Sequence, residues 1–243
     1  MNVAVIFAGG VGRRMNNAAT PKQFLKLHGK EIIIHTLEKF NDCPQIDAIT
    51  IACVEPWIAY LRQCVNRYDI KKIRTIVPGG STGQESIYRA LLSVEEYSDP
   101  DSIVLIHDGV RPLIDVCTIQ KNIECVKSNR SAITVAAAIE TVVQVDSPDI
   151  TQGRITQISD RSICRLARAP QSFYLEDILW AHRQALKDGK NDFIDSASIM
   201  KFYGFDLFVV DGPIENIKIT TPSDYYAFKA YYEASEDSQV FGI

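Results

Sequence analysis

A glycine-rich loop follows the first apolar run of the chain and carries the residue types that bind phosphate. The loop reads A-G-G-V-G-R-R-M from Ala8 to Met15, and Lys22 follows a few residues later. Glycines let backbone N–H groups point inward, so such a loop binds phosphate oxygens or the edge of a base. A dinucleotide fingerprint would need glycine where Met15 stands, and a P-loop would need Gly-Lys-Ser or Gly-Lys-Thr. We predict a phosphate-binding loop rather than a plain tight turn, because a turn does not require cations beside it.

An acidic and a basic residue follow a second apolar run, in the segment H-D-G-V-R-P from His107 to Pro112. Ligands of open α/β sheets bind outside the carboxyl ends of the strands, so Asp108 and Arg111 should face the same crevice as the glycine loop. A carboxylate there suits Mg²⁺ carried by polyphosphate, because this ion takes one or two carboxylates and leaves its other positions to phosphate and water. The alternative for Asp108 is a helix N-cap. For His107 we predict a packed or hydrogen-bonded side chain without a catalytic role.

A single lysine interrupts a third apolar run, N-I-K-I-T from Asn216 to Thr220. We predict a short strand over Ile217–Ile219, in which the two isoleucines point one way and the Lys218 amine the other. An ammonium aimed at the crevice would balance phosphate charge. A solvated strand lysine is the alternative.

The elements that must position these residues belong to one α/β domain covering residues 1–243. The 243 residues are 46% hydrophobic and 23% charged, the ordinary mix of a globular protein. Short β-branched runs alternate with amphipathic stretches, which is typical of a Rossmann-like, mostly parallel sheet with helices on both faces. The predicted strands are Val3–Ala8, Ala48–Val54, Ile73–Val77, Ile103–His107, Ile133–Ala138, Leu207–Val210 and Ile217–Ile219. The predicted helices are Ile32–Phe40, Trp57–Tyr68, Gln84–Tyr97, Cys117–Ser128, Leu175–Leu186, Asp195–Phe202 and Ser223–Glu233, with frayed residues after Glu233.

The net charge indicates which binding partners to expect, and the cysteine content indicates the cellular compartment. A formal net charge of −4 argues against nucleic-acid or membrane-surface binding, because both targets are polyanions that need a basic face. The apolar run from Met1 to Gly10 is too short to span a bilayer and has no basic residues before it. Six scattered cysteines form no C-x-x-C pair, so we expect free thiols in a reducing cytoplasm.

One segment, at about residues 139–161, breaks the alternation of strands and helices. Thr141–Val145 and Arg154–Ser159 each alternate polar and apolar residues around an Asp-Ser-Pro-Asp turn, which predicts a β-hairpin. A two-stranded ribbon is marginal alone, so it must rest on another surface. We expect a protruding arm that embraces a second copy of the chain in a homodimer; a flap on its own domain is the alternative.

Together these segments resemble the cytidylyltransferases that join CTP to a methylerythritol phosphate or a pentitol phosphate. The resemblance covers nearly the full chain, and its motifs are specific through their order and spacing. They are the glycine loop, P-K-Q-F from Pro21, G-G at Gly79 with Ser86, H-D-G-V-R-P, Thr141 and Arg161, A-P-Q-S-F from Ala169, and N-I-K-I-T.

The resemblance implies a role for each matched residue. The cytidine and triphosphate would lie against Ala8, Gly9, Gly10 and Gly12, with Arg14 and Lys22 on the phosphates and Gly80 and Ser86 at the base and ribose. Asp108 would hold Mg²⁺, and Arg111 and Lys218 the incoming sugar phosphate. Thr141 and Arg161 are similar to arm residues that complete the neighbouring subunit's substrate pocket in this family. Arg14, Lys22 and Lys218 would offset the charge that develops during transfer.

Three positions depart from the family pattern. Gly83 stands where arginine is usual, Gln144 near a lysine of the methylerythritol enzymes, and Ser196 where glutamate or alanine is common after the matched Asp195. The Gln144 departure and the T-V-V run from Thr141 favour a pentitol phosphate such as ribitol 5-phosphate as acceptor, with 2-C-methyl-D-erythritol 4-phosphate as the alternative. Glycine at position 83 is the one feature that favours an alternative function, a nucleotide-binding sensor that does not turn over its substrate. A nicotinamide-dependent oxidoreductase is a further rival, disfavoured by the incomplete fingerprint.

Overall fold

A seven-stranded sheet organises the protein, whose computed structural model describes residues 1–9, 20–149 and 152–241. The strands are β1 (Asn2–Ala8), β2 (Lys26–Leu27), β3 (Lys30–Glu31), β4 (Ala48–Cys53), β5 (Ile73–Pro78), β6 (Ile103–Asp108), β7 (Ser131–Ala137), β8 (Val143–Val145), β9 (Ile155–Ile158), β10 (Arg165–Tyr174) and β11 (Val209–Asp211). The α-helices are α1 (Ile32–Asn41), α2 (Ile58–Arg67), α3 (Gly83–Glu95), α4 (Val116–Asn129), α5 (Leu175–Lys187), α6 (Ser196–Phe202) and α7 (Pro222–Phe241). Short 3-10 helices cover Lys22–Phe24, Glu55–Trp57 and Arg161–Ile163.

The order of the large sheet is β11-β7-β10-β6-β1-β4-β5. Strand β1 pairs in parallel with β4 and β6, and β4 with β5, while β10 runs antiparallel to both of its neighbours, β6 and β7. The mostly parallel sheet predicted from the sequence is thereby confirmed. The carboxyl ends of β1, β4 and β6 therefore lie at one edge, where the predicted site residues follow them.

Helices cover both faces of this sheet because its central strands are apolar on both sides. Ala4 and Ile6 of β1 pack with α1, α2 and α4 on one face, and Val3 and Val5 pack with α3, α5 and α6 on the other. All four side chains are fully buried. The central strands therefore hold their terminal loops on a rigid base.

One predicted strand is wrong, and one observed strand was not predicted. Residues 165–174 form β10, which sequence reasoning missed because its first half is exposed and its second half contains Pro170, a poor residue for a central strand. Ile217–Ile219, predicted as a strand, belongs to no strand. Its backbone N–H at Ile219 donates to the carbonyl of Val110 at 3.0 Å, so the segment docks on the loop after β6 without joining the sheet. Helix α7 also continues to Phe241, past the predicted end at Glu233.

The predicted hairpin is present. Strands β8 and β9 pair antiparallel, with Val143 opposite Ile158, and every residue of both strands is exposed. We call residues 139–161 the arm; residues 150 and 151 within it lie outside the described residues. No helix in the described part of the chain is long and apolar enough to cross a membrane.

Candidate active site

Two cavities lie side by side at the carboxyl ends of β1 and β6. One, of about 340 Å³, is lined by Ala8, Gly9, Lys22, Gln23 and Ser86 among others, and we call it the glycine cavity. The other, of about 310 Å³, is lined by Arg111, Arg168, Gln171, His182 and Ser196 among others, and we call it the arginine cavity. Four residues line both cavities: Phe7, Gly83, Asp108 and Lys218. The two cavities therefore share a wall that carries one carboxylate and one ammonium group.

Gly9 and Ser86 bring β1 and α3 into direct contact beside the glycine cavity. A Cβ atom on Gly9 would lie 2.6 Å from Ser86 Oγ, so only glycine fits there. Ser86 Oγ donates to the carbonyl of Thr82 at 2.8 Å and accepts from the N–H of Gly80 at 2.9 Å. Ser86 thus shapes the loop after β5, and Gly80 contributes through this loop rather than as a wall of the cavity.

Lys22 reaches the glycine cavity from the 3-10 helix Lys22–Phe24. The neighbouring Gln23 is 1% exposed, and its Nε2 donates to the carbonyl of Ala8 at 2.8 Å, which ties this helix to the end of β1. Sequence reasoning gave Gln23 no role, although it is the third residue of the P-K-Q-F motif. The sequence signal for it is the amide side chain within this motif, because an amide that becomes buried must find hydrogen-bond partners.

Asp108 is the ionic centre of the shared wall. Its Oδ1 lies 2.6 Å from Lys218 Nζ, and its Oδ2 accepts from Arg111 Nε at 2.7 Å. Burial by itself would raise the pKa of Asp108, but the positive charges of Arg111 and Lys218 lower it to about 2. The alternative of a helix N-cap is excluded, because Asp115 caps α4 by accepting from Thr118 N at 2.6 Å.

The buried Asn216 anchors the segment that carries Lys218. Its Nδ2 donates to the carbonyl of Ala169 at 2.6 Å, and its own carbonyl accepts from Arg111 Nη1 at 2.9 Å and Arg168 Nη1 at 3.1 Å. The lysine therefore reaches the site from an irregular segment held by side chains. Its ammonium also lies 5.7 Å from the centroid of the Phe7 ring.

His107 packs behind this site, as predicted. It is fully buried, and its Nε2 lies 3.1 Å from the carbonyl of Arg111. Burial lowers the pKa of His107 to about 4, so the ring is neutral at pH 7. It supports the loop that carries Arg111.

The remaining predicted residues lie apart from the cavities or outside the described residues. Thr141 and Arg161 are on the exposed arm and line neither cavity. Arg161 Nη1 donates to the carbonyl of Ile139 at 2.7 Å. Gly10, Gly12 and Arg14 lie outside the described residues.

The comparisons with known proteins agree with this arrangement. The model of the 2-C-methyl-D-erythritol 4-phosphate cytidylyltransferase family matches residues 2–234. The chain belongs to this family. A ribitol-5-phosphate cytidylyltransferase from Vibrio parahaemolyticus is 55% identical over 242 residues, and one from Streptococcus agalactiae is 49% identical over 243, each comparison covering 100% of both chains. A 2-C-methyl-D-erythritol 4-phosphate cytidylyltransferase from Syntrophus aciditrophicus is 35% identical, covering 96% of this chain and 97% of its own.

Solved structures of the family share the fold. The 4-diphosphocytidyl-2C-methyl-D-erythritol synthase of Anaerococcus prevotii superposes with a TM-score of 0.80 at 26% identity, covering 96% of each chain. The 2-C-methyl-D-erythritol 4-phosphate cytidylyltransferase of Francisella tularensis superposes with a TM-score of 0.74 at 30% identity, covering 94% of this chain and 100% of its own.

The close contact between Gly9 and Ser86 should matter for both the stability of the protein and its binding of CTP. Gly9→Ala pushes Ser86 away and breaks its hydrogen bonds to the loop, so we expect about 1–3 kcal/mol lower stability and weaker CTP binding. Chemical denaturation and calorimetric titration with CTP measure the two effects. Gly83→Ala is the control for stability alone, because its Cβ would meet no atom within 4 Å, whereas CTP affinity is compared with the wild-type protein. Equal stability of the two variants, together with wild-type CTP affinity in Gly9→Ala, would contradict this role of Gly9.

Proposed function

We propose that the protein transfers CMP from CTP to ribitol 5-phosphate, giving CDP-ribitol and pyrophosphate. The wall shared by the two cavities carries this proposal, because a nucleotide in one and a sugar phosphate in the other would meet at Asp108 and Lys218. The full-length identities of 55% and 49% to ribitol-5-phosphate cytidylyltransferases, against 35% to the methylerythritol enzyme, support the pentitol acceptor.

The reaction requires positioning and charge neutralisation more than proton transfer. An oxygen of the acceptor phosphate attacks the α-phosphorus of CTP and forms a new P–O bond. The bond from the α-phosphorus to the oxygen bridging to the β-phosphate breaks, and that oxygen leaves with pyrophosphate. Lys22 from the glycine cavity and Lys218 from the shared wall offset the growing negative charge, and Arg14 joins them in our proposal. Holding the two reactants in line lowers the barrier by about 7–11 kcal/mol.

We propose Asp108 as the single carboxylate of a Mg²⁺ site, because a carboxylate has about four lone-pair positions and those not used by Arg111 and Lys218 would hold the ion. The described residues contain no group of three or more His, Cys, Asp and Glu side chains that could hold a metal. Mg²⁺ bound with polyphosphate needs only one or two protein carboxylates, and Asp108 lines the glycine cavity. When bound, the ion would neutralise phosphate charge.

Asp108→Asn should lower the rate, weaken the dependence on Mg²⁺ and change the stability profile with pH. Since the folded pKa of about 2 lies below the ordinary value of 3.8, the wild-type carboxylate contributes about 2 kcal/mol above pH 4. This contribution is lost as the pH falls from about 4 to about 2, whereas the variant lacks it throughout. Urea denaturation across this range and a Mg²⁺ titration of activity measure both effects. An unchanged Mg²⁺ midpoint would show that Asp108 is not a metal ligand.

Pyrophosphate release from CTP tests the proposed reaction. We expect release with ribitol 5-phosphate to exceed that with 2-C-methyl-D-erythritol 4-phosphate by at least about tenfold in kcat/KM. The reverse preference would assign the chain to the methylerythritol reaction. CTP binding without turnover on either acceptor would indicate a sensor, and NAD binding would support an oxidoreductase.

We also propose a homodimer formed through the arm, with Thr141 and Arg161 completing the partner's acceptor site. The arm and the 3-10 helix at its end expose apolar side chains that a monomer would leave in water: Ile139, Val143, Val145, Ile155, Ile158 and Ile163, each between 41% and 80% exposed. Contiguous exposed apolar residues of this kind are typical of an interface between proteins. Sedimentation velocity tests the dimer, and a monomer at micromolar concentration would contradict it.

A cytoplasmic location completes the proposal. All six cysteines are free, and three of them are buried. Free thiols persist in a reducing compartment, and CTP is a cytoplasmic metabolite. Fractionation of the producing cells tests the location.

A further inference from the structure

The arginine cavity is lined by side chains of different chemical character. Asp108 and Lys218 also line the glycine cavity. Gln84 and His182 also line a third cavity of about 430 Å³, beside α3 and α5. The lining of the arginine cavity therefore includes both the shared ionic wall and His182.

Buried polar atoms without partners line this cavity. Among the described residues, Arg168 Nε, His182 Nε2 and Ser196 Oγ are buried without a hydrogen-bond partner, and all three residues line the arginine cavity. His182 is 2% exposed and Ser196 is 3% exposed. Buried polar atoms are nearly always hydrogen-bonded in folded proteins. Several unpartnered atoms on one cavity therefore indicate a ligand that supplies the missing hydrogen bonds.

The fold holds both neutral residues in place. The His182 ring on α5 stacks on Tyr88 of α3, with centroids 5.5 Å apart and planes 16° apart. Ser196 begins α6, which Asp195 caps by accepting from Ser198 N at 2.8 Å. Gln171 of β10 donates to Asp195 at 2.8 Å and accepts from Ala197 N at 2.8 Å, so the start of α6 is fixed to the sheet.

The side chains of this cavity suit different parts of one ligand. Arg111, Arg168 and Lys218 suit a phosphate group. The same cavity presents a hydroxyl at Ser196 and an imidazole at His182, whose pKa burial lowers to about 4, so that it is neutral at pH 7. A neutral imidazole and a hydroxyl donate to or accept from alcohols and give no charge to hold a second anion.

We infer that His182 and Ser196 bind the terminal hydroxyl group of the acceptor, the one farthest from its phosphate, and so select a linear polyol phosphate by its length. This inference rests on the proposed function. A shorter acceptor would reach the ionic wall but leave these buried atoms unpaired.

Steady-state kinetics with ribitol 5-phosphate and 1-deoxyribitol 5-phosphate, which lacks only the terminal hydroxyl, test the inference. With the wild-type protein we expect the KM of the deoxy acceptor to be about 10- to 100-fold higher. Ser196→Ala and His182→Phe should raise the KM for ribitol 5-phosphate by a similar factor. The same variants should change the KM for the deoxy acceptor by less than about threefold, because the lost partner is already absent, and leave the KM for CTP unchanged.

Ser93→Ala and His35→Phe are matched controls, because both residues are buried away from the arginine cavity. Equal KM values for the two acceptors with the wild-type protein would overturn the inference, even where a variant fails to fold. So would variants that raise both KM values equally. The absence of pyrophosphate release by the wild-type protein with ribitol 5-phosphate would instead overturn the proposed function, and this inference with it.

Discussion

Lys218→Ala is expected to lower kcat about 10²–10³-fold while the protein folds normally. The ammonium lies on the wall between the two cavities, 2.6 Å from Asp108, where charge would grow as pyrophosphate departs. A contact that strengthens only in the transition state is worth about 2.7–4 kcal/mol. The side chain is 41% exposed, and Asp108 keeps Arg111 as a partner, so the fold should tolerate its loss.

Single-turnover measurement of CMP transfer, with circular dichroism as a check on folding, measures this effect. Lys218→Met is a useful second variant, because it keeps the apolar stem near Phe7 and removes only the charge. Lys127→Ala is the control, since that lysine is exposed on α4 and paired with Glu124. Turnover within a few-fold of wild type in both Lys218 variants would remove the lysine from the mechanism.

Co-expression of Arg161→Ala and Lys218→Ala chains is expected to restore activity that neither variant has alone. If the arm of one subunit completes the site of its partner, a mixed dimer contains one site with both intact residues. Purified mixed dimers should then have about half of wild-type activity, and the unpurified, randomly paired mixture about a quarter. Differently tagged chains, purified in tandem so that only mixed dimers remain, allow the measurement.

The control is a double variant that carries Arg161→Ala and Lys218→Ala on one chain, co-expressed with the wild-type chain. Each site of that mixed dimer lacks one of the two residues, so it should be inactive. Tandem-purified dimers of the single variants that show no more activity than either parent would establish that Arg161 does not act across the interface.

Much of the fold could be predicted because parallel strands buried on both faces read as continuous apolar runs. Strands β1, β4 and β6 are of this kind, and each differs from its predicted bounds by one residue. Strand β10 could not be recognised in the same way. Half of it is exposed and half is buried, so it shows neither a continuous apolar run nor a regular alternation.

The charged residues of the site could be predicted from the sequence, but the residues that hold them in place could not. The carboxyl ends of parallel strands meet at one edge, which is why Asp108 and the glycine loop could be placed together from the sequence. Lys218 was expected on a strand, yet hydrogen bonds to Asn216 hold its segment instead. His182 and Ser196 belong to helices far along the chain, and no local pattern shows that they line the same cavity.

The position of β10 also determines the order in which the sheet can form. Strand β6 pairs with β1 on one side and with β10 on the other, and β10 also pairs with β7. A nascent chain that ends at Ala138 therefore contains β7 without the strand that joins it to β6, and one edge of β6 has no partner. Contacts between segments so far apart in sequence are slow to form, since the intervening loop must close first. The large sheet therefore becomes complete only after the arm has been synthesised.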